Sequence, residues 1–122
     1  MEFIQQIDLE ETERRKLLEV TDQLIDVIKE TQIYKRYRIQ CEKVEKQPEI
    51  KEKMDEYRTK NFNLQNSSFE GEEMQNHLEA LQREYESVLK NPLVADFLTA
   101  ELDFCRLMQF VNLKMADAMD FE

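Results

Sequence analysis

The chain has 122 residues, enough for one domain that buries roughly two-thirds of the surface its unfolded chain exposes. Its composition, 41% hydrophobic and 36% charged with one glycine and two prolines, argues against a sheet protein with many hairpins and favours an all-α domain. Twenty-seven acidic and 17 basic side chains leave a net charge of −10, which repels nucleic acids and anionic membranes. We therefore predict a single helical domain over residues 1–122 that binds neither nucleic acid nor membrane directly.

The sequence indicates a cytoplasmic protein. Its first residues show no basic segment followed by an apolar one, and no stretch approaches the roughly 20 apolar residues that a membrane-spanning helix needs. Cys41 and Cys105 lie far apart in the sequence, each among helical apolar positions. Buried thiols in a reducing compartment are therefore favoured over a disulfide.

The apolar periodicity predicts about five helices joined by short connections. Asp8 and Glu11 resemble a capping box for a first helix over about residues 9–30. Thr31 is a candidate N-cap for a second helix, which ends just before Pro48 because the residue before a proline is pushed out of the α region. Neither glycine nor proline marks the join between these helices, and we predict a bend there.

Two further helices are predicted in the middle of the chain. A third helix begins at Pro48 and continues to about Ser68, with a weak apolar stripe that Asn61 interrupts. The sole glycine, Gly71, suits a residue that closes a helix in the left-handed conformation. A fourth helix ends at Lys90 and carries an apolar heptad pattern. That pattern consists of Met74, Leu78, Leu81, Tyr85 and Val88.

The fifth helix, predicted over residues 91–119, is the longest and is expected to be the central element of the bundle. Asn91 suits its N-cap and Pro92 its first position, where a missing N–H costs nothing. Glu101 interrupts its apolar stripe; it lies either at an exposed edge or buried against a basic or tyrosine partner. The stripe is a candidate dimer or partner interface, with core packing as the other interpretation. Its members are Phe97, Glu101, Phe104, Met108, Val111 and Met115.

The sequence contains no recognisable catalytic or cofactor-binding pattern. His77 is the only histidine, and it has no cysteine or carboxylate at metal-ligand spacing. The two cysteines form no Cys-x-x-Cys pair, and a single glycine leaves no phosphate-binding loop. We expect a protein that is not an enzyme and that has no cofactor or resident metal.

Several segments, taken in order, are similar to one known family. They are residues 31–37 (TQIYKRY), 47–51 (QPEIK), 69–71 (FEG), 91–98 (NPLVADFL) and 101–108 (ELDFCRLM), followed by Val111 and Asn112. Together they resemble the YlbF/YmcA family of small helical bacterial proteins, over about residues 17–119. The resemblance does not choose between branches of that family, which include relatives of the YheA type.

The resemblance implies an all-helical, self-associating, cytoplasmic protein of Gram-positive type bacteria without catalytic residues. The best understood members act in a protein complex that modulates ribonuclease Y and thereby mRNA processing, competence, sporulation and biofilm formation. We therefore expect a homodimeric regulator or adaptor with protein partners. Some members are associated with iron–sulfur clusters through cysteines. This chain lacks a cysteine-rich tail, so a cysteine-dependent metal-cluster or small-ligand sensor is the alternative hypothesis.

Overall fold

The computed structural model describes residues 7–120, and that part of the chain contains six α-helices and no strand. The all-α prediction is confirmed. No helix within residues 7–120 combines the length and the apolar character needed to cross a membrane. The helices are α1 (Glu11–Glu30), α2 (Gln32–Glu45), α3 (Pro48–Gln65), α4 (Gly71–Glu84), α5 (Glu86–Leu89) and α6 (Pro92–Ala118).

The predicted bend between the first two helices is confirmed at Thr31, the single residue between α1 and α2. Its backbone is extended, with φ −69° and ψ 150°, and its hydroxyl oxygen accepts a hydrogen bond from the Tyr34 N–H at 3.1 Å. Thr31 is thus the N-cap of α2, as predicted. The predicted capping box of α1 is wrong: the N-cap is Glu10, without a side-chain cap, and Asp8 lies two residues outside it.

Gly71 has the predicted left-handed conformation, with φ 56°, but not the predicted role. It is the first residue of α4, whereas α3 already ends at Gln65. The chain leaves α3 through a turn in which the Ser67 hydroxyl donates to the Leu64 carbonyl at 2.5 Å and accepts from the Phe69 N–H at 3.3 Å. These side-chain hydrogen bonds end α3 before the glycine is reached.

The single helix predicted before Lys90 is divided at Tyr85 into α4 and the four-residue α5. Tyr85 has φ −108° and ψ 20°, outside the helical range. Its side chain is buried, and its ring lies 5.7 Å from the ring of Tyr57. Its hydroxyl donates a hydrogen bond to the Glu56 carboxylate at 3.3 Å. The heptad spacing continues across the break, so the apolar pattern could not reveal it.

The core lies where α2 and α3 meet the N-terminal half of α6. Its buried cluster is Val44, Met54, Val94 and Phe97. The longest packed pair is α2 against α6, and the two run antiparallel because Tyr34 contacts Phe104 at one end while Val44 and Val94 share the core at the other. The predicted start of α6 is confirmed: the Asn91 side chain accepts from the Leu93 N–H at 2.9 Å, and Pro92 is the first helical residue.

Candidate functional site

The predicted interface residues of α6 range from buried to exposed along the helix. Phe97 is 7% exposed and belongs to the core. Four residues after it are half-buried, namely Glu101, Phe104, Met108 and Val111, and Met115 is 47% exposed. The structure therefore uses the first part of the predicted stripe inside the chain and leaves the last part at the surface. The role of these residues as an interface stays a prediction.

Glu101 is half-buried and has a partner. Its carboxylate forms an ion pair and hydrogen bond with the guanidinium of Arg58 on α3. The Arg58 guanidinium carbon also lies 5.4 Å from the centre of the Phe97 ring, within the range of a cation–π contact. The acidic residue in the apolar stripe thus links α3 to α6. Of the two environments that the sequence left open for Glu101, the structure has the one with a basic partner.

An aromatic cluster covers the contact between α2 and α6. Tyr37 stacks on Phe104 with ring centres 4.9 Å apart, and Tyr34 meets the same ring edge-on at 5.5 Å. Tyr37 also lies 6.2 Å from Phe97. Phe104 is therefore held mainly by its own chain, and α2 covers α6 up to about this residue.

The hydroxyl of Tyr37 has a raised pKa. The largest cause is its hydrogen bond to the Cys41 thiol, followed by partial burial. Nearby negative charge on Cys41 and Glu101 raises this pKa further, and Arg38 opposes the shift. The folded protein therefore favours the neutral phenol of Tyr37 over the phenolate at the contact between α2 and α6.

Replacing Tyr37 with phenylalanine should reduce the pH dependence of stability in the alkaline range. A tyrosine whose folded pKa lies above the ordinary value of 10.0 contributes stability that is present below pH 10.0 and lost as the pH rises through the folded pKa. Urea unfolding of the wild type and Tyr37→Phe, from neutral pH to about pH 11, measures this difference. The stability advantage of the wild type should shrink at high pH. A constant advantage would show that Tyr37 titrates alike in both states.

Helix α1 has no buried residue along its 20 positions. Its apolar residues nevertheless cover about half of the helix circumference. We name this surface the α1 apolar face: Leu17, Leu18, Val20, Leu24, Ile25, Val27 and Ile28. Its most exposed member is Val20, at 62%. Within the described residues, α1 has extended contact only with α2, its neighbour in sequence.

A second, partly exposed apolar surface lies in the C-terminal half of α6. We name it the distal α6 face: Leu107, Met108, Phe110, Val111, Leu113 and Met115. Phe110 and Leu113 are 67% and 68% exposed. Sequence reasoning did not identify Leu113, because it lies outside the stripe that continues from the core. Apolar residues all round this part of the helix were the available signal.

The two cysteines do not share a site. Both are free thiols; Cys41 is half-buried against the core and Cys105 is exposed, so predicted burial is wrong for Cys105. His77 is exposed and stacks on Phe69 with ring centres 4.1 Å apart. Within residues 7–120, no group of three or more His, Cys, Asp or Glu side chains could hold a metal ion.

A groove of about 610 Å³ lies beside α3 and is lined mainly by charged side chains. Two of the lining carboxylates have lysine partners on the same helix: the Lys51 ammonium lies 3.3 Å from the Asp55 carboxylate, and the Lys53 ammonium lies 3.6 Å from the Glu56 carboxylate. The pairs are largely exposed and follow helical spacing, as expected of a solvated helix surface.

Most of the chain is similar to known proteins. A family model described as "Control of competence regulator ComK, YlbF/YmcA" matches residues 17–120. A UPF0342 protein of Caldicellulosiruptor bescii is 26% identical over 109 residues, which cover 88% of this chain and 92% of that protein. A UPF0342 protein of Caldicellulosiruptor saccharolyticus is 23% identical over 109 residues, covering 88% and 91%. No solved structure matches the chain.

Proposed function

The chain belongs to the YlbF/YmcA family, and from this membership we propose that it is a non-enzymatic adaptor that acts as a homodimer. The description of the family is control of the competence regulator ComK. The family supports a regulatory role. The finer proposal is that this role is exerted through protein–protein contacts, within a complex that modulates ribonuclease Y and mRNA processing.

The observation that carries the proposal is the exposure of both the α1 apolar face and the distal α6 face. Monomeric soluble proteins rarely expose contiguous apolar patches larger than a few hundred Å². A 20-residue helix that buries none of its residues is also marginally stable in water, because most helical stability in proteins comes from burial of an apolar face. Both surfaces therefore favour coverage by protein.

Self-association is energetically reasonable for these two faces. Full burial of an aliphatic or aromatic side chain contributes roughly 1.5–3 kcal/mol, and several such side chains are exposed on each chain. Association costs roughly 4–15 kcal/mol in lost translational and rotational freedom. Covering the two faces in both chains of a dimer can offset this cost, which supports a stable homodimer.

The charge of the protein favours a protein partner over RNA. A net charge of −10 opposes direct contact with a phosphate backbone. An adaptor in a ribonuclease complex would then contact the nuclease or its other regulators.

The homodimer is tested by light scattering across a dilution series. We expect a mass twice the 14.8 kDa of one chain. A monomer at every concentration would contradict the homodimer and leave both faces to a different protein.

The regulatory role is tested in the bacterium that encodes the chain. Deleting the gene should change the mapped 5′ ends of ribonuclease Y-processed transcripts, and the wild-type gene should restore them. A variant with Leu17→Glu and Val20→Glu should fail to restore them, whereas Gln23→Glu, on an exposed polar position of the same helix, should succeed. Unchanged transcript ends after deletion would contradict the ribonuclease branch of the proposal.

The alternative, a cysteine-dependent metal-cluster or small-ligand sensor, has no contact that favours it. Cys41 and Cys105 lie on different helices and differ in exposure. A coloured, metal-containing preparation after anaerobic purification would support the metal-cluster sensor over the adaptor.

A further inference from the structure

We propose that the outward side of α2 is a docking surface for an acidic segment of a partner protein. The surface, which we name the α2 basic face, consists of Lys35, Arg36, Ile39, Lys43 and Lys46, all of them exposed. The inference rests on the adaptor role proposed above and gives the chemistry of one partner. The homodimer is not required for it.

The segment that forms this surface differs in charge from the rest of the chain. Helix α2 and its C-cap, residues 32–46, carry five basic and two acidic side chains and therefore a net charge of +3, in a protein whose net charge is −10. Each of the other five helices in the described part of the chain is neutral or negative. Positive charge is thus concentrated on one helix of an acidic protein.

The positive charge on α2 is not neutralised within the chain. None of the five basic side chains in residues 32–46 forms an ion pair with any residue that the structure describes. Arg36 lines a small groove with Asp96 and Asp103 but is not paired with either. These cations are therefore available to carboxylates from outside the chain.

Helix α3 provides the comparison within the same protein. It has four basic side chains, and every one of them is paired with a carboxylate on α3, α4 or α6. They are Lys51, Lys53, Arg58 and Lys60. Exposed ion pairs contribute little to stability, so their absence from α2 costs the fold little. It leaves α2, unlike α3, with uncompensated charge at its surface.

Helical spacing groups the basic side chains of the face around one apolar residue. Lys35 and Arg36 precede Ile39 by four and three positions, and Lys43 and Lys46 follow it by four and seven, so all share one side of the helix. Ile39 is 49% exposed, while the opposite side of α2 packs into the core. The face is about 17 Å long, which three turns of a partner helix would cover.

This combination suits an acidic protein segment. Carboxylates spaced along such a segment would pair with the cations, and an apolar side chain among them would cover Ile39. The helix dipole accounts for Lys43 and Lys46, near the C-terminal end of α2, but not for Lys35 and Arg36 in its N-terminal half. RNA fits less well, because its phosphates offer no contact to Ile39 and would extend past the face toward the negative remainder of the chain.

The surface is tested by photo-crosslinking from its centre. Purified chain with p-benzoylphenylalanine in place of Ile39 is irradiated in a lysate of the bacterium that encodes it, and the crosslinked segment is sequenced by mass spectrometry. We expect a protein segment with net negative charge. The crosslinking yield should fall several-fold at high salt, since exposed charges are screened.

Charge variants of the crosslinking chain test the contact. Lys35→Glu with Lys43→Glu should lower the yield several-fold, whereas Lys51→Glu with Lys53→Glu makes the same change on α3 and should leave it unaltered. All four lysines are exposed, so both variants should fold, which circular dichroism checks. Replacing carboxylates of the identified segment with lysine should restore the yield of the Lys35→Glu, Lys43→Glu chain.

The outcomes separate the docking surface from the adaptor role. No crosslink at position 39, a crosslink to RNA, a segment without net negative charge, or equal losses in the two variants would overturn the docking surface. The adaptor role would remain, because transcript ends after gene deletion test it separately. A salt-sensitive crosslink to an acidic segment, together with unchanged transcript ends, would support the docking surface and contradict only the ribonuclease branch.

Discussion

Replacing Phe97 with alanine is expected to lower the free energy of unfolding by about 3–5 kcal/mol. The ring is 7% exposed and packs in the core with Val94, which is fully buried. Alanine would remove the contact with Tyr37 and the cation–π contact with Arg58, and it would leave a cavity between three helices. Chemical denaturation followed by circular dichroism measures the change.

Phe62 provides the matched control for this substitution. It lies on α3 and is 66% exposed, so Phe62→Ala makes the same chemical change without opening a core cavity. Its effect should stay below about 1 kcal/mol. Equal losses at the two positions would contradict the placement of Phe97 in the core.

Replacing Glu101 with lysine is expected to destabilise the chain by about 2 kcal/mol. The substitution removes the hydrogen-bonded ion pair with Arg58 and places two positive charges at a half-buried contact between α3 and α6. Because about a third of each side chain is exposed, solvent screening keeps the loss below that of a fully buried pair.

A charge exchange tests the pair directly. Arg58→Glu combined with Glu101→Lys restores opposite charges, so the double variant should be more stable than Glu101→Lys alone. It should remain below the wild type, because the cation–π contact with Phe97 is lost. Additive losses in the double variant would mean that Arg58 and Glu101 do not interact in solution.

These two predictions divide α6 into an internal half and an external half. Substitutions at Phe97 and Glu101 should alter the stability of one chain, since their contacts are made within it. Substitutions at the exposed Phe110 and Leu113 should instead alter association, if the distal α6 face is covered by a second copy. Measuring both stability and solution mass for each variant separates the two effects.

Local sequence signals determined both ends of α2 and the start of α6. The threonine cap of α2, the end of α2 before Pro48 and the Asn91-Pro92 start of α6 all depend on the conformational preferences of one or two residues. Such preferences act within a few residues of the chain, so they can be read without the fold. The amphipathic periodicity of α6 likewise indicated that one side of it meets the core. The extent of the domain stays a prediction.

Contacts between distant residues were decided only by the tertiary structure. Arg58 lies 43 positions from Glu101, and no local pattern could select it among the 17 basic residues. The break at Tyr85 accompanies its contacts with Tyr57 and Glu56 on α3, while the heptad spacing passes through it unchanged. An apolar pattern shows that a helix face needs cover, but not what covers it. The sequence by itself therefore determined that α1 and α6 are amphipathic, and the fold decided that α2 covers only the first half of α6 and leaves α1 exposed.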